Sequence, residues 1–225
     1  DSSTSRGLGD VYKRQGCNMC TTAIQLAKTY SCNIEGVDLN AKALQQGQKN
    51  VEAANLSHLI HVQKANAMNL PFEDEQFDII LNEAMLTMLP LKAKVQALRE
   101  YYRVLKPGGI LLTHDIAIIN LAQKEEIVEN LSSAINVKVT PLPTAEWYQL
   151  FKDSRFSQIE SHIGELTLMT PAGMLYDEGL FGTMKIVKNA LKKENRNMFF
   201  TMFRTMKRYK NCLLYTSPSP RDVEE

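Results

Sequence analysis

Apolar positions along the first half of the chain switch between helical and strand spacing, and the switches predict a succession of elements. Ala23, Ile24, Ala27 and Tyr30 fall at i, i+1, i+4 and i+7, one stripe of a helix, and Ile34, Gly36 and Val37 then run as a strand into Asp38. Asn40 can cap a second helix carrying Leu44, Val51 and Ala54, after which Leu59, Ile60 and Val62 form a short strand. Phe77-Asp78-Ile79-Ile80-Leu81-Asn82 is almost continuously apolar, as in a parallel strand buried on both faces. A helix over about Lys92–Leu105 carries Val95, Leu98 and Tyr102. Pro107-Gly108-Gly109 stops it and turns the chain into a second buried strand, Ile110–Thr113. Strands alternating with helices at this spacing predict an α/β fold, a doubly wound and mostly parallel sheet.

The second half predicts a helix over Asn120–Asn136, a helix capped by Thr144 with Trp147 and Leu150, and a strand over Ser157–Ile163. After Pro171 come two extra helices, one with Met184, Val187 and Leu191, the other with Phe199, Met202, Phe203 and Met206. Such stripes suit a core, and they also suit an adaptable lid over an apolar ligand. Lys185–Lys210 is rich in Lys and Arg with Glu194 as its sole acid, which fits a solvated helix face or an anionic ligand.

The two ends follow no such pattern. Residues 5–15 and 212–222 are encoded by one DNA word and its reverse complement shifted by one base, and the pair resembles a transposon-type sequencing adaptor translated at both ends of a fragment. On that reading residues 1–15 and 212–225 are adaptor-derived, and residues 16–211 form a single domain. Within it, 16–115 make a ligand-binding core and 116–211 an acceptor or lid region. The native first strand and a seventh strand are then expected to be missing. Asp10-Val11-Tyr12-Lys13 should be pressed into the vacant first slot, a ragged edge should mark the other gap, and the chain should be unstable.

Setting the ends aside removes four of the 26 Lys/Arg and five of the 25 Asp/Glu, leaving 22 against 20. That balance carries no nucleic-acid signal. Cys212 goes with the adaptor, so Cys17, Cys20 and Cys32 remain, an odd number that suits a reducing cytoplasm rather than a disulfide scaffold. No apolar run approaches the ~18 residues of a membrane helix, so a soluble, cytoplasmic protein without membrane partners is expected.

Candidate chemistry begins at Gly16–Asn40, which reads as a glycine turn, a helix, and a strand ending in Asp38, 22 residues after Gly16. This is half of a nucleotide-binding βαβ unit, with the acid placed to accept from both ribose hydroxyls. Asn18 and Thr21 stand where a dinucleotide-binding loop has glycine, which favours an adenosyl ligand without phosphates over a nicotinamide cofactor. Cys17-x-x-Cys20 has redox or metal spacing but lacks the second pair of a zinc site, so no metal is assigned. His58, His61 and His162 have no partners at ligand spacing.

Leu70-Pro71-Phe72, the strand start Phe77-Asp78, and above all Val104-Leu105-Lys106-Pro107-Gly108-Gly109 follow in order, and with them the chain resembles the Rossmann-like S-adenosylmethionine-dependent small-molecule methyltransferases from Gly16 to about Asp115. The resemblance implies that Gly16, Cys17 and Asn18 lie against the methionine portion of S-adenosylmethionine, and that Asp38, with Leu39 beside it, holds the ribose. It also implies that Asn66 and Ala67 meet the adenine edge. The family has Asp at the first of these positions, and Asn66 can accept from the adenine amino group through its amide oxygen. Cys20 replaces a family glycine, and a side chain there can crowd the donor.

Asn82 and Glu83 end one buried strand, so the resemblance puts Asn82 at the donor and Glu83 near the sulfonium or acceptor; a solvated loop acid is the other reading of Glu83. His114 and Asp115 end the next strand and can serve the acceptor as catalytic groups, or as a crevice histidine and a helix cap. The expected function is methyl transfer to a small-molecule acceptor. A nicotinamide-dependent oxidoreductase and a non-catalytic S-adenosylmethionine-binding protein remain as alternatives.

Overall fold

The computed structural model describes residues 11–15, 20–135, 138–165, 200, 204–205 and 213–219. Eight strands make one sheet in the order β3-β2-β1-β4-β5-β8-β7, with a short β6 beside β5. They are β1 (Val11–Gln15), β2 (Asn33–Asp38), β3 (Ile60–Lys64), β4 (Phe77–Glu83), β5 (Leu105–Ile118), β6 (Leu142–Pro143), β7 (Glu160–Glu165) and β8 (Leu213–Ser219). The helices are α1 (Thr21–Tyr30), α2 (Ala41–Ala53), α3 (Leu91–Val104), α4 (Lys124–Ile135) and α5 (Thr144–Asp153). The first five strands in that order pair in parallel, and β8 runs antiparallel to both β5 and β7.

Both ends of the chain supply strands. β1 lies between β2 and β4 and ends next to Gly16, in the expected first slot but reaching Gln15 rather than stopping at Lys13. β8 corrects the expectation of a ragged edge, because Leu213–Ser219, within the segment read as adaptor-derived, fills the place of a seventh strand between β5 and β7. The physical reason is the same at both positions: neighbouring strands present rows of N–H and C=O groups, and any backbone that can reach them satisfies them. The two helices expected after Pro171 lie outside the described residues, apart from residues 200 and 204–205.

Two clusters of buried side chains flank the sheet. Ala23 and Ala27 of α1 pack with Ile34, Leu44, Val51 and Ile60, while Leu98 and Tyr101 of α3 pack with Phe77, Ile80, Trp147 and Phe151. Each large side chain buried in this way contributes about 1.5–3 kcal/mol. The inward face of α3 is Lys94, Ala97, Leu98, Tyr101 and Val104, not the expected stripe, since Tyr102 is exposed and Val95 only packs against the cluster edge. Tyr30 at the end of α1 is likewise exposed. Asn40 caps α2 as expected, its side-chain oxygen accepting from the N–H groups of Lys42 and Ala43.

The Pro-Gly-Gly turn does not precede β5 but lies within it, as an irregularity against β4 where the pairing jumps from Phe77–Leu105 to Ile79–Ile110. Gly108 has φ 76°, and a Cβ on Gly109 would stand 2.8 Å from the Lys106 carbonyl oxygen and 3.1 Å from that of Asp78. Both positions therefore require glycine. Lys106 closes the turn by donating to both carboxylate oxygens of Asp78 at 2.9 Å.

Candidate functional site

Asp38 and Glu83 stand at the carboxyl ends of β2 and β4, on either side of β1, where the strand order reverses, and His114, inside the longer β5, is the register neighbour of Glu83. That crevice is where open α/β sheets bind ligands. Asp38 is half-buried, and one of its carboxylate oxygens accepts from the backbone N–H of Asn40 at 2.9 Å. Leu39 beside it is 58% exposed, an apolar surface next to an acid at a strand end. Carboxylate and apolar surface together match a ribose and the face of a purine, so these residues fit an adenosyl group. Gly16, Cys17 and Asn18 lie outside the described residues.

After β3 the chain makes a tight turn in which Asn66 and Asn69 bridge. The side-chain oxygen of Asn66 accepts from the Met68 N–H at 3.0 Å, and Ala67 is buried. The oxygen expected to meet an adenine amino group therefore already holds the turn, leaving one lone pair for a ligand. Cys20 does not crowd the crevice. It has φ 62° and ψ 20°, a left-handed conformation of the kind that favours glycine, and its side chain is fully buried in the α1–β2 cluster. A buried core thiol is a poor metal or redox ligand. Among the described residues no group of three or more His, Cys, Asp or Glu is placed to hold a metal. His58, His61 and His162 are exposed.

Strand parity separates the remaining candidates. Glu83 and His114 are register neighbours on adjacent strands and half-buried, with Thr22 of α1 donating to Glu83 Oε2 at 3.5 Å. They lie on the α1 side of the sheet and can reach a ligand in the crevice. Asn82 and Asp115 lie on the α3 side, fully buried, which corrects both expectations: neither side chain is exposed to contact a donor or acceptor. The Asn82 amide donates to Thr113 Oγ1 at 2.8 Å and to Asp115 Oδ2 at 2.9 Å, and its oxygen accepts from the Tyr101 hydroxyl at 3.1 Å. Asp115 also accepts from Thr113 Oγ1 at 2.8 Å and, through Oδ1, from the Thr87 N–H at 2.7 Å. Burial raises the Asp115 carboxyl above its ordinary range, while the bonds from Thr87 and Thr113 and the nearby Lys94 charge pull it down.

This network fixes the segment after β4. Thr87 belongs to a 3₁₀ turn, Leu86–Met88, and its carbonyl accepts from the Thr140 N–H at 2.8 Å. The Lys94 ammonium, with its side chain fully buried, donates to the Leu89 carbonyl at 2.5 Å, the Thr140 carbonyl at 2.8 Å and Thr140 Oγ1 at 2.7 Å. Desolvation lowers its pKa to about 8 against the pull of Asp115. Sequence reasoning missed Thr87, Lys94, Tyr101 and Thr113. The available signal was parity, since Asn82, Thr113 and Asp115 are polar letters on one face of two otherwise apolar strands.

Fold and site together define an α/β domain with a crevice where the order of its parallel strands reverses, and comparison with known proteins places it further. Residues 14–113 match the family model of a methyltransferase domain. That segment is a methyltransferase domain of Rossmann-like fold. It is 57% identical over 189 residues to an uncharacterized protein of Haemophilus influenzae, covering 84% of this chain and 75% of that protein. It is 38% identical over 98 residues to a demethylmenaquinone methyltransferase of Lactiplantibacillus plantarum, covering 43% of this chain and 40% of that one. Geranyl diphosphate C-methyltransferase of Streptomyces coelicolor, in a complex with S-adenosyl-L-homocysteine, superposes with a TM-score of 0.70 over 96% of this chain and 71% of its own, at 16% identity. The chain thus spans three quarters of the Haemophilus relative and about two fifths of the demethylmenaquinone methyltransferase. No helix among the described residues is long and apolar enough to cross a membrane.

Proposed function

We propose that this protein transfers the methyl group of S-adenosylmethionine to a small-molecule acceptor held on the β4–β5 side of the crevice. The observation that carries the reading is the meeting of Asp38 and Leu39, at the end of β2 next to β1, with the Asn66–Ala67 turn that follows β3, while Glu83 and His114 stand on the other side of β1 on the α1 face. The bound donor supplies an activated methyl carbon, whose bond to sulfur breaks as the acceptor's electron pair forms the new bond.

Asp38 accepts from the ribose hydroxyls, Leu39 covers one face of the purine, and Ala67 leaves room for its edge. Gly16, Cys17 and Asn18 lie against the methionine portion, as the family resemblance implies. Glu83 and His114 orient the acceptor, and one of them takes its proton where the acceptor atom carries one. Asn82 and Asp115 act at one remove, by fixing the strand ends and the 86–88 turn. Met88, Leu91, Ile119 and Leu121 are exposed apolar side chains that follow β4 and β5, and they support an acceptor with an apolar portion. The demethylmenaquinone and geranyl diphosphate enzymes, by their names, act on molecules of that kind.

The test is incubation of the protein with methyl-labelled donor and a small-molecule extract. Label in a small organic product supports the reading. A donor that binds but never yields labelled product would make the protein a binding module instead.

A further inference from the structure

Three residues of α3 reach the stretch 68–72, which is neither helix nor strand. Gln96, Glu100 and Arg103 are spaced i, i+4 and i+7, so they share one helix face. The Gln96 amide donates to the Met68 carbonyl at 3.1 Å. Glu100 Oε2 accepts from the Leu70 N–H at 2.8 Å. Arg103 donates to the Leu70 carbonyl at 3.1 Å and the Phe72 carbonyl at 2.8 Å, and it is itself held by Glu100 at 2.8 and 2.9 Å and by Asp74 at 2.7 Å. Four backbone groups between Met68 and Phe72 thus take their partners from one face of one helix, where a strand or helix would take them from neighbouring backbone.

The stretch continues directly from the Asn66–Ala67 turn, which is also held by the bridge to Asn69, the Asn66 side chain and the burial of Ala67 in the α3-side cluster. We infer that Gln96, Glu100 and Arg103 are positioning residues for the purine, setting the position of Asn66 and Ala67 through the 68–72 backbone without touching the ligand. The inference rests on the S-adenosylmethionine reading above. Arg103 is suited to the task because its fork reaches two carbonyls and two carboxylates at once, and a lysine has no such geometry.

The experiment is calorimetric titration of the full chain with S-adenosylhomocysteine and with S-inosylhomocysteine, which differs only at the purine edge. The wild type should prefer the adenosyl compound by about tenfold or more, the value of one hydrogen bond of ~1.4 kcal/mol. Arg103→Lys and Glu100→Gln should narrow that preference to about threefold or less and weaken adenosyl binding about tenfold. Gln96→Ala, at an exposed position with one bond, should fold normally and narrow it about twofold. A merely structural role would weaken both ligands equally, so an unchanged ratio in all three variants, or in Gln96→Ala if the others do not fold, overturns the inference. Failure of the wild type to bind either compound overturns the methyl-donor reading and the inference with it.

Discussion

Replacing Asp115 by alanine tests the buried network most severely. The carboxylate accepts from the Thr87 N–H at 2.7 Å and from Thr113 Oγ1 at 2.8 Å, and all three residues are 2% exposed or less. Asn82 keeps its bond to Thr113 in the variant, but its second amide N–H, the Thr87 N–H and the Thr113 hydroxyl lose their acceptor at a fully buried position. Each buried donor left unpaired costs about 1–3 kcal/mol, so with three of them the variant should lose about 3–9 kcal/mol. For a domain of this size that corresponds to a melting temperature lower by roughly 6–35 °C. Scanning calorimetry of the full chain measures it. Asp115→Asn keeps an acceptor and should lose less than the alanine variant.

The same pair of proteins carries a pH signature. Burial raises the Asp115 carboxyl above 3.8, so the folded protein holds a proton that the unfolded chain has released. Stability contributed by that proton is present at low pH and falls as pH rises from about 3.8 through the folded-state value. Asp115→Asn should lack this fall, visible as a wild-type-minus-variant difference in urea midpoint. A melting temperature within about 2 °C of wild type for the alanine variant, with no change in pH slope for the asparagine variant, would refute the buried network.

Asp38→Ala should weaken S-adenosylhomocysteine binding by about ten- to a hundredfold, the loss of charge-assisted hydrogen bonds of 1.5–3 kcal/mol, with little change in melting temperature. Unchanged affinity in a titration would show that Asp38 does not reach the ribose. Asn66→Asp keeps an oxygen on the Met68 N–H and adds a second acceptor for the adenine amino group, so donor affinity should rise about three- to tenfold; a fall in the same titration would contradict the turn geometry. Lys94, lowered from 10.5 to about 8, is uncharged in the folded state while still charged in the unfolded chain across that interval. Stability measured by urea midpoint should therefore rise with pH between about 8 and 10.5, and Lys94→Met should flatten the rise.

Periodicity made α1, α2 and the strands from β2 to β5 legible, because most of their buried positions are filled by Ala, Ile, Leu and Val that say which face is inside. It misread α3, whose inward face includes Lys94 and Tyr101. Those letters ordinarily mark a surface, and here they are buried because Leu89, Thr140 and Asn82 bond to them. Order and spacing of the Leu-Pro-Phe and Pro-Gly-Gly motifs were enough for the family and for Asp38 at its strand end. Asn82 and Asp115 were misplaced because a strand end specifies a position along the sheet but not a side of it. The side comes from register, Asn82 opposite Thr113, which no local pattern carries. The Gln96, Glu100 and Arg103 face was invisible for a related reason: its partners are backbone atoms about thirty residues away, and backbone has no signature in sequence. The strand formed by Leu213–Ser219 depends on open ladder positions on β5 and β7 rather than on its own residues.

The central claim is that the crevice beside β1 holds S-adenosylmethionine. Calorimetric titration of the full chain with S-adenosylhomocysteine, and separately with NAD, tests it most directly. The account predicts a single site for S-adenosylhomocysteine in the micromolar range, about −8 kcal/mol, with NAD at least a hundredfold weaker, roughly 2.7 kcal/mol. Tighter binding of NAD, or no heat with S-adenosylhomocysteine up to about 1 mM, the limit near −4 kcal/mol, would contradict it.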